Sequence, residues 1–121
     1  MVGPFETLRR KSEFSEVYDR GLGYRSPLAV LLCLRSDESG FKHAVVASRK
    51  VGGAVRRNRA KRLLREGLRR ALGEQDPPRG CRIILIARRA TADASGAEVV
   101  DAVTDLFKQA GLTSPAQSPE K

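Results

Sequence analysis

The amino-acid sequence predicts a single α+β domain, in which an amphipathic helix packs on a sheet. Three observations predict this class. Apolar residues recur at helical spacing in several segments, apolar runs of strand length alternate with them, and 121 residues with 40% hydrophobic content suffice for one core. We expect residues 1–112 to form this domain and residues 113–121, TSPAQSPEK, to form a disordered tail.

The first predicted helix covers residues 12–20, SEFSEVYDR. Ser12 is a candidate N-cap, and Gly21 is a typical stop after the last turn. Three residues at positions i, i+3 and i+4 give this helix an apolar and aromatic stripe: Phe14, Val17 and Tyr18.

Apolar runs predict strands at residues 28–35, 43–49 and 82–89. The first two are joined by a short polar loop that contains Gly40, so we predict that they form an antiparallel hairpin. Cys33 and Cys81 lie in or beside these runs without a second Cys or His at metal-ligand spacing, which favours buried free thiols. The single histidine, His43, starts a strand and is interpreted as incidental.

The last predicted helix begins at an S-x-x-E capping box, formed by Ser95 and Glu98. Gly111 is its expected end. Apolar residues follow at helical spacing: Val99, Val100, Val103, Leu106, Phe107 and Ala110.

The net charge of the protein is concentrated in one segment. Residues 49–70 hold ten of the 23 basic residues but only one of the 14 acidic residues, Glu66, so this segment alone accounts for the net charge of +9. Charge that serves solubility is normally interspersed, whereas one basic block creates a local positive potential that suits a polyanion.

From Ala60 onward the basic segment has the pattern of an amphipathic helix. Its apolar residues and Gly67 share one face, which is expected to pack on the sheet. Asn58, Arg62, Arg65 and Arg69 form a second stripe, with Lys61 at its border. Arginines on one stripe are suited to phosphate groups, and Gly52 and Gly53 before the helix allow close approach of the backbone.

Several classes of protein are disfavoured. No run of about 18 apolar residues and no secretory signal is present, so we expect a soluble, intracellular protein without a membrane partner. The G-x-x-x-x-G-K-[ST] nucleotide-binding loop is missing. An independent nuclease needs clustered acids or histidines, and the sequence has one histidine and scattered acids.

One long motif resembles a known family. The pattern S-[RK]-K-[VI]-G-x-A-V-x-R-N-R-x-K-R-x-x-R-E, which runs here from Ser48 to Glu66, is similar to the signature of the bacterial ribonuclease P protein component. The segments LRRKSEFSEVYDRG and IILIARR, with the capped last helix, extend the resemblance over roughly residues 5–110.

The resemblance implies an α/β sandwich of order αβββαβα, like the second domain of ribosomal protein S5, with a four-stranded sheet and the basic helix in a left-handed crossover. The short first strand is expected in LGYRS, residues 22–26. It also implies the accessory subunit of a cytoplasmic endoribonuclease that removes the 5′ leader of precursor tRNA. In that family the catalytic RNA subunit, with Mg²⁺ held mainly by RNA, performs the chemistry. No protein catalytic residue, no protein metal site and no obligate protein partner are expected.

The resemblance also implies two sets of binding residues. For the RNA subunit they are Lys50, Arg57, Asn58, Arg59, Lys61, Arg62 and Arg65. For the single-stranded leader they are Phe14, Tyr18, Leu32, Ser48 and Arg49. Leu32 departs from the family, which often has an aromatic residue there, so we expect weaker or differently placed leader contacts.

Two other interpretations remain open from the residues themselves. A ribosomal or general RNA-binding protein would share the basic helix but would not need the aromatic first helix. A helix-turn-helix DNA-binding protein is disfavoured by the strand-rich first half and by the lack of a two-helix unit around the basic helix.

Overall fold

A computed structural model describes residues 6–36, 40–73 and 78–112. The predicted tail, residues 113–121, lies outside the described residues, so its disorder stays a prediction. The elements in chain order are β1 (Glu6–Thr7), α1 (Lys11–Arg20), β2 (Leu22–Ser26), β3 (Ala29–Arg35), β4 (Phe41–Val46), a 3₁₀ turn (Arg49–Val51), α2 (Ala54–Leu72), β5 (Cys81–Ala87), a second 3₁₀ turn (Arg89–Asp93) and α3 (Gly96–Ala110).

The α+β class is confirmed, with three helices on a mixed sheet of order β1-β4-β5-β3-β2. Four strands have five to seven residues, and the two-residue β1 adds a short parallel edge beside β4. Strand β2 covers the LGYRS segment in which the resemblance placed the first strand. Since β4 and β5 are parallel neighbours, α2 lies in a crossover connection between them; its left-handed sense stays a prediction.

The predicted hairpin is wrong. The two apolar runs do form β3 and β4, but they are not neighbours, because β5 lies between them, antiparallel to β3 and parallel to β4. Ile83, Ile84 and Leu85 of β5 are fully buried. A strand that is apolar on both faces buries most apolar surface at the centre of the sheet. The free energy of this burial outweighs the tendency of a short loop to pair β3 directly with β4.

The sheet carries a hydrophobic core on each face. On one face, side chains of β3 and β5 pack with α2 and α3; Leu31, Ile83, Leu64 and Phe107 are among the fully buried residues there. On the other face, a smaller cluster holds α1 on the sheet. Its buried residues are Leu8, Val17, Ala44 and Ile84.

The first helix begins earlier than predicted. It starts at Lys11, so Ser12 lies inside the helix and is not the N-cap. The carboxylate of Glu13 instead accepts hydrogen bonds from the backbone amides of Arg9 and Arg10, at 3.0 and 3.2 Å. Gly21 ends the helix as expected; a Cβ there would lie 2.6 Å from the Val17 carbonyl oxygen, so the chain turns back towards the sheet only with glycine.

The last helix follows the sequence closely, whereas α2 begins at Ala54, before the apolar pattern that starts at Ala60. In α3, Ser95 Oγ accepts from the Glu98 amide at 3.1 Å, Glu98 accepts from the Ser95 amide at 2.9 Å, and Gly111 adopts φ of 72° after the last turn. Gly67 of α2 is buried against α3, since a Cβ there would approach Val103 to 3.1 Å. The glycine therefore permits the close packing of the two helices.

Both cysteines are free and buried, as predicted. Their sulfur atoms lie 3.6 Å apart on adjacent strands, a proximity that the sequence did not indicate. The hydrogen bond with Cys33, together with burial, raises the pKa of Cys81. The His43 ring stacks on Phe41 at 6.0 Å between centroids. None of the helices in the described ranges is long and apolar enough to cross a membrane.

Candidate nucleic-acid interface

The start of α2 is built from a capped turn and a glycine-only backbone conformation. Ser48 Oγ accepts a hydrogen bond from the Lys50 amide at 3.2 Å and caps the 3₁₀ turn. Gly52 has φ of 139° and ψ of −159°, a region that side chains other than hydrogen disfavour. Gly53 has an ordinary φ of −73° and open space around it. Of the two glycines before α2, only Gly52 therefore has a backbone conformation that requires glycine.

Three arginines of the basic segment are paired with carboxylates. Arg56 makes a bidentate contact with Asp93, at 2.8 and 3.1 Å, and lowers the pKa of that carboxyl by hydrogen bonding. Arg69 and Arg70 both contact Glu66, at 2.6 and 2.7 Å. These three arginines belong to neither predicted set of binding residues, although Arg69 lies on the same stripe. Two carboxylates therefore offset part of the charge of these three arginines, with Glu66 shared between Arg69 and Arg70.

The predicted RNA-binding residues share one property: within the described ranges, none of their side chains pairs with a carboxylate. Arg59 donates to the Ala92 carbonyl at 2.7 Å, and Arg57 donates to the Gly52 carbonyl at 3.4 Å, so both retain their charge while held by backbone oxygens. Asn58, Arg62 and Arg65 are exposed. The buried face of α2 lies against the sheet and α3, and the stripe faces away from it. A cationic surface without acidic partners is therefore presented to solvent.

The helix α1 is held on the other face of the sheet by two ion pairs. Glu13 accepts from Lys42 of β4 at 2.7 Å, and Glu16 accepts from Arg82 of β5 at 2.8 Å. The hydrogen bond with Lys42, followed by those with the backbone amides of Arg9 and Arg10, lowers the pKa of Glu13 to about 2. This helix is therefore positioned by charge as well as by its apolar stripe.

The replacement Glu13→Gln is expected to destabilise the protein by about 1 kcal/mol at pH 7, because it removes a charged acceptor whose side chain is 13% exposed. A carboxyl group with a lowered folded-state pKa stabilises the protein above its unfolded pKa of 4.5 and loses this contribution as the pH falls towards 2. Urea unfolding at several pH values measures the difference. It should shrink between pH 5 and pH 2; a difference independent of pH, or one equal to that of the exposed Asp101→Asn control, would contradict the assignment.

Beside α1, part of the sheet face is only partly covered; we call this strip, with the flank of α1 above it, the groove, and the strand register defines its floor. Lys42 and Arg82 share one row across the sheet, and the next row, with Ala44 and Ile84, lies under Val17. The following row is Val46, Ile86, Val30 and Arg25, on the side of α1 away from Lys42 and Arg82. Its three apolar side chains are only half-buried, so this row forms the open floor.

Two aromatic residues line the wall of this groove. On a helix, Glu13 and Glu16 lie on one flank of Val17, while Phe14 and Tyr18 lie on the other, which faces the open row. Phe14 is half-buried against the α1 cluster, whereas Tyr18 is 50% exposed. A half-exposed ring is available to a ligand, and a packed one mainly supports the helix.

The remaining predicted leader residues lie around the same groove. Leu32 is half-buried on the groove face of β3. Ser48 and Arg49 are exposed just after the end of β4 and begin the turn that leads into α2. Sequence reasoning missed the floor residues Val30, Val46 and Ile86, whose alternation within predicted strands was the available signal. It also missed Arg25, whose place in the row depends on register.

Among the residues that the structure describes, no three His, Cys, Asp or Glu side chains come together as a potential metal site. The charged groups around the groove and along α2 are mostly cationic. The arrangement is therefore suited to binding polyanions.

Comparison with known proteins points in one direction. The model of the family described as Ribonuclease P matches residues 3–111. The Ribonuclease P protein component of Dehalococcoides mccartyi is 39% identical over 107 residues, which cover 88% of this chain and 86% of the relative. That of Clostridium botulinum is 35% identical over 105 residues, covering 87% and 94%.

Solved structures agree with the fold. The RNase P protein from Thermotoga maritima has a TM-score of 0.72 at 27% identity and covers 86% of this chain and 96% of that one. The Staphylococcus aureus RNase P protein has a TM-score of 0.76 at 22% identity, which supports the shared fold alone. With the family model spanning nearly all of the sequence, this chain belongs to the bacterial ribonuclease P protein family.

Proposed function

We propose that this protein is the accessory subunit of ribonuclease P that binds the catalytic RNA through α2 and the 5′ leader of precursor tRNA through the groove beside α1. It assists an endonucleolytic cleavage in which the RNA supplies the catalytic groups. Mg²⁺, held mainly by the RNA subunit and the substrate, supplies the activation of water. The observation that carries the proposal is the separation of a cationic surface without acidic partners on α2 from an apolar, aromatic groove beside α1.

The two surfaces suit different forms of RNA. Exposed arginines without carboxylate partners match the phosphate backbone of a folded RNA, where released counterions favour association. A groove with a half-exposed tyrosine and an aliphatic floor suits unstacked bases, since single-stranded RNA is bound by stacking on aromatic rings beside positive charge. Arg49 lies where the groove meets the start of α2, so one RNA assembly can contact both surfaces.

Reconstitution tests the proposal directly. Added to a bacterial ribonuclease P RNA, the protein should promote cleavage of precursor tRNA at low Mg²⁺, where the RNA alone is weakly active. Several related RNAs should be used, because the natural partner determines the best fit. No stimulation with any of them would contradict the proposal and would favour a general RNA-binding protein.

The replacement Tyr18→Ala tests the groove. We expect about a fivefold to tenfold loss of affinity of the reconstituted enzyme for precursor tRNA with a leader, because base–aromatic stacking contributes about 1 to 3 kcal/mol. Affinity for leaderless tRNA should be unchanged. The measurement is equilibrium binding of both RNAs to wild type, Tyr18→Phe and Tyr18→Ala. Tyr18→Phe should retain most of the affinity, and an equal loss for leaderless tRNA would remove Tyr18 from the leader groove.

A further inference from the structure

The groove beside α1 continues across four of the five strands, from β4 to the β2 edge of the sheet. The row formed by Val46, Ile86, Val30 and Arg25 crosses from β4 to β2, so its ends are three inter-strand spacings apart, about 14 Å. One row closer to α1, Gly23 of β2 lies opposite Leu32. It carries no side chain that could close the groove beside Leu32.

Arg25 is the only charged residue of that row. It is exposed, it lies opposite Val30 and therefore on the groove face, and among the described residues its side chain has no carboxylate partner. In the described ranges, no ion pair or hydrogen bond engages its guanidinium group, in contrast to Lys42 and Arg82, which hold α1. An arginine held at the open end of an apolar floor is available to an anionic ligand.

We propose that Arg25 is a further leader-positioning residue, whose guanidinium group binds a leader phosphate at the β2 edge of the sheet. This inference rests on the proposed function of the groove. A strand of RNA that lies along the row meets cationic Arg49 near β4, aliphatic side chains in the middle and cationic Arg25 at β2. Guanidinium groups pair well with phosphate oxygens. Because Leu32 offers no ring for stacking, charge at the two ends holds the strand where an aromatic residue would otherwise stack.

Leader length provides the test. We would measure affinity of the reconstituted enzyme for precursor tRNAs whose leaders are shortened one nucleotide at a time, with wild type, Arg25→Ala, Arg25→Lys and Arg20→Ala. Arg20→Ala is the matched control, because it removes the same charge from an exposed arginine on the other flank of α1, beside Glu16.

We expect Arg25→Ala to lose about threefold or more in affinity only for leaders long enough to reach β2, and to equal wild type for shorter ones. With long leaders, the slope of log affinity against log salt should fall by about 0.7, the value for one contact with single-stranded nucleic acid. Arg25→Lys should keep most of this slope. A structural role of Arg25 would weaken binding at every length.

The experiment distinguishes a failure of the Arg25 inference from a failure of the proposed groove function. If wild type depends on leader length and Tyr18→Ala abolishes this dependence, while Arg25→Ala matches Arg20→Ala throughout, the inference is wrong and the groove assignment stands. If wild type shows no dependence on leader length, the proposed groove function fails, and the role of Arg25 fails with it.

Discussion

Replacing Arg62 and Arg65 together by alanine is expected to lower affinity for the catalytic RNA by about tenfold or more. Both side chains are exposed on the stripe of α2 and, in the described part of the chain, have no carboxylate partner. Their charge is therefore available to phosphates. Each phosphate contact contributes about 0.7 to 0.9 to the slope of log affinity against log salt, so the double variant should flatten this slope by about 1.4 to 1.8. Filter binding at several salt concentrations measures both effects.

The same helix offers a matched control for this prediction. The double replacement of Arg69 and Arg70 by alanine removes the same total charge as that of Arg62 and Arg65. Arg69 and Arg70, however, already contact Glu66, whose pKa they lower by hydrogen bonding. This control should change the affinity and the salt slope much less. Equal losses in the two double variants would show that only the overall positive potential matters, and the specific stripe would then be the wrong interface.

Gly52→Ala is expected to destabilise the protein and to weaken its binding to the catalytic RNA. At φ of 139° and ψ of −159° a residue with a side chain is strained, at a cost of about 1 to 3 kcal/mol. The added Cβ would also lie 2.7 Å from Cδ of Arg56, the side chain that joins the start of α2 to Asp93 and to the carbonyl of Val51. Relief of this contact would displace the turn that carries Arg49 and Lys50.

Gly53→Ala is the control for the backbone argument. Gly53 has an ordinary extended conformation and open space at its Cβ position, so alanine should change stability by less than about 1 kcal/mol. Urea unfolding of both variants measures stability, and binding to the catalytic RNA measures the interface. Equal behaviour of the two variants would contradict the requirement for glycine at position 52.

Local patterns in the sequence were sufficient to predict most of the helices and strands and the positive charge of the interface. The Ser95 capping box, the end of α1 at Gly21 and the buried face of α2 depend on neighbours within a few positions, and the structure has all three. The predicted start of α1 was wrong because the carboxylate of Glu13, and not the hydroxyl of Ser12, accepts hydrogen bonds from the free amides before the helix. The neighbouring side chains of Ser12 and Glu13 are both possible acceptors for these amides, and their spacing alone did not show which one accepts.

Interactions between residues far apart in the sequence decided how α1 lies on the sheet and which arginines are paired. Glu13 and Glu16 meet partners 29 and 66 positions away, and these pairs set the flank of α1 that faces the open groove. The pairing of Arg56 with Asp93, 37 positions away, likewise separates an internal arginine from its exposed neighbours. A sequence pattern carries no information about such partners until the sheet order is known.

By itself, the sequence determined the three helical segments and three of the five strands, where the positive charge is concentrated and which family motif runs from Ser48 to Glu66, because these features depend on near neighbours. Only the tertiary structure decided that β5 separates β3 from β4, which arginines keep their charge available, and that Arg25 shares a row with Val46. The physical reason is that strand order and register follow from burial of apolar surface across the whole chain, and the periodicity of each segment is compatible with several arrangements.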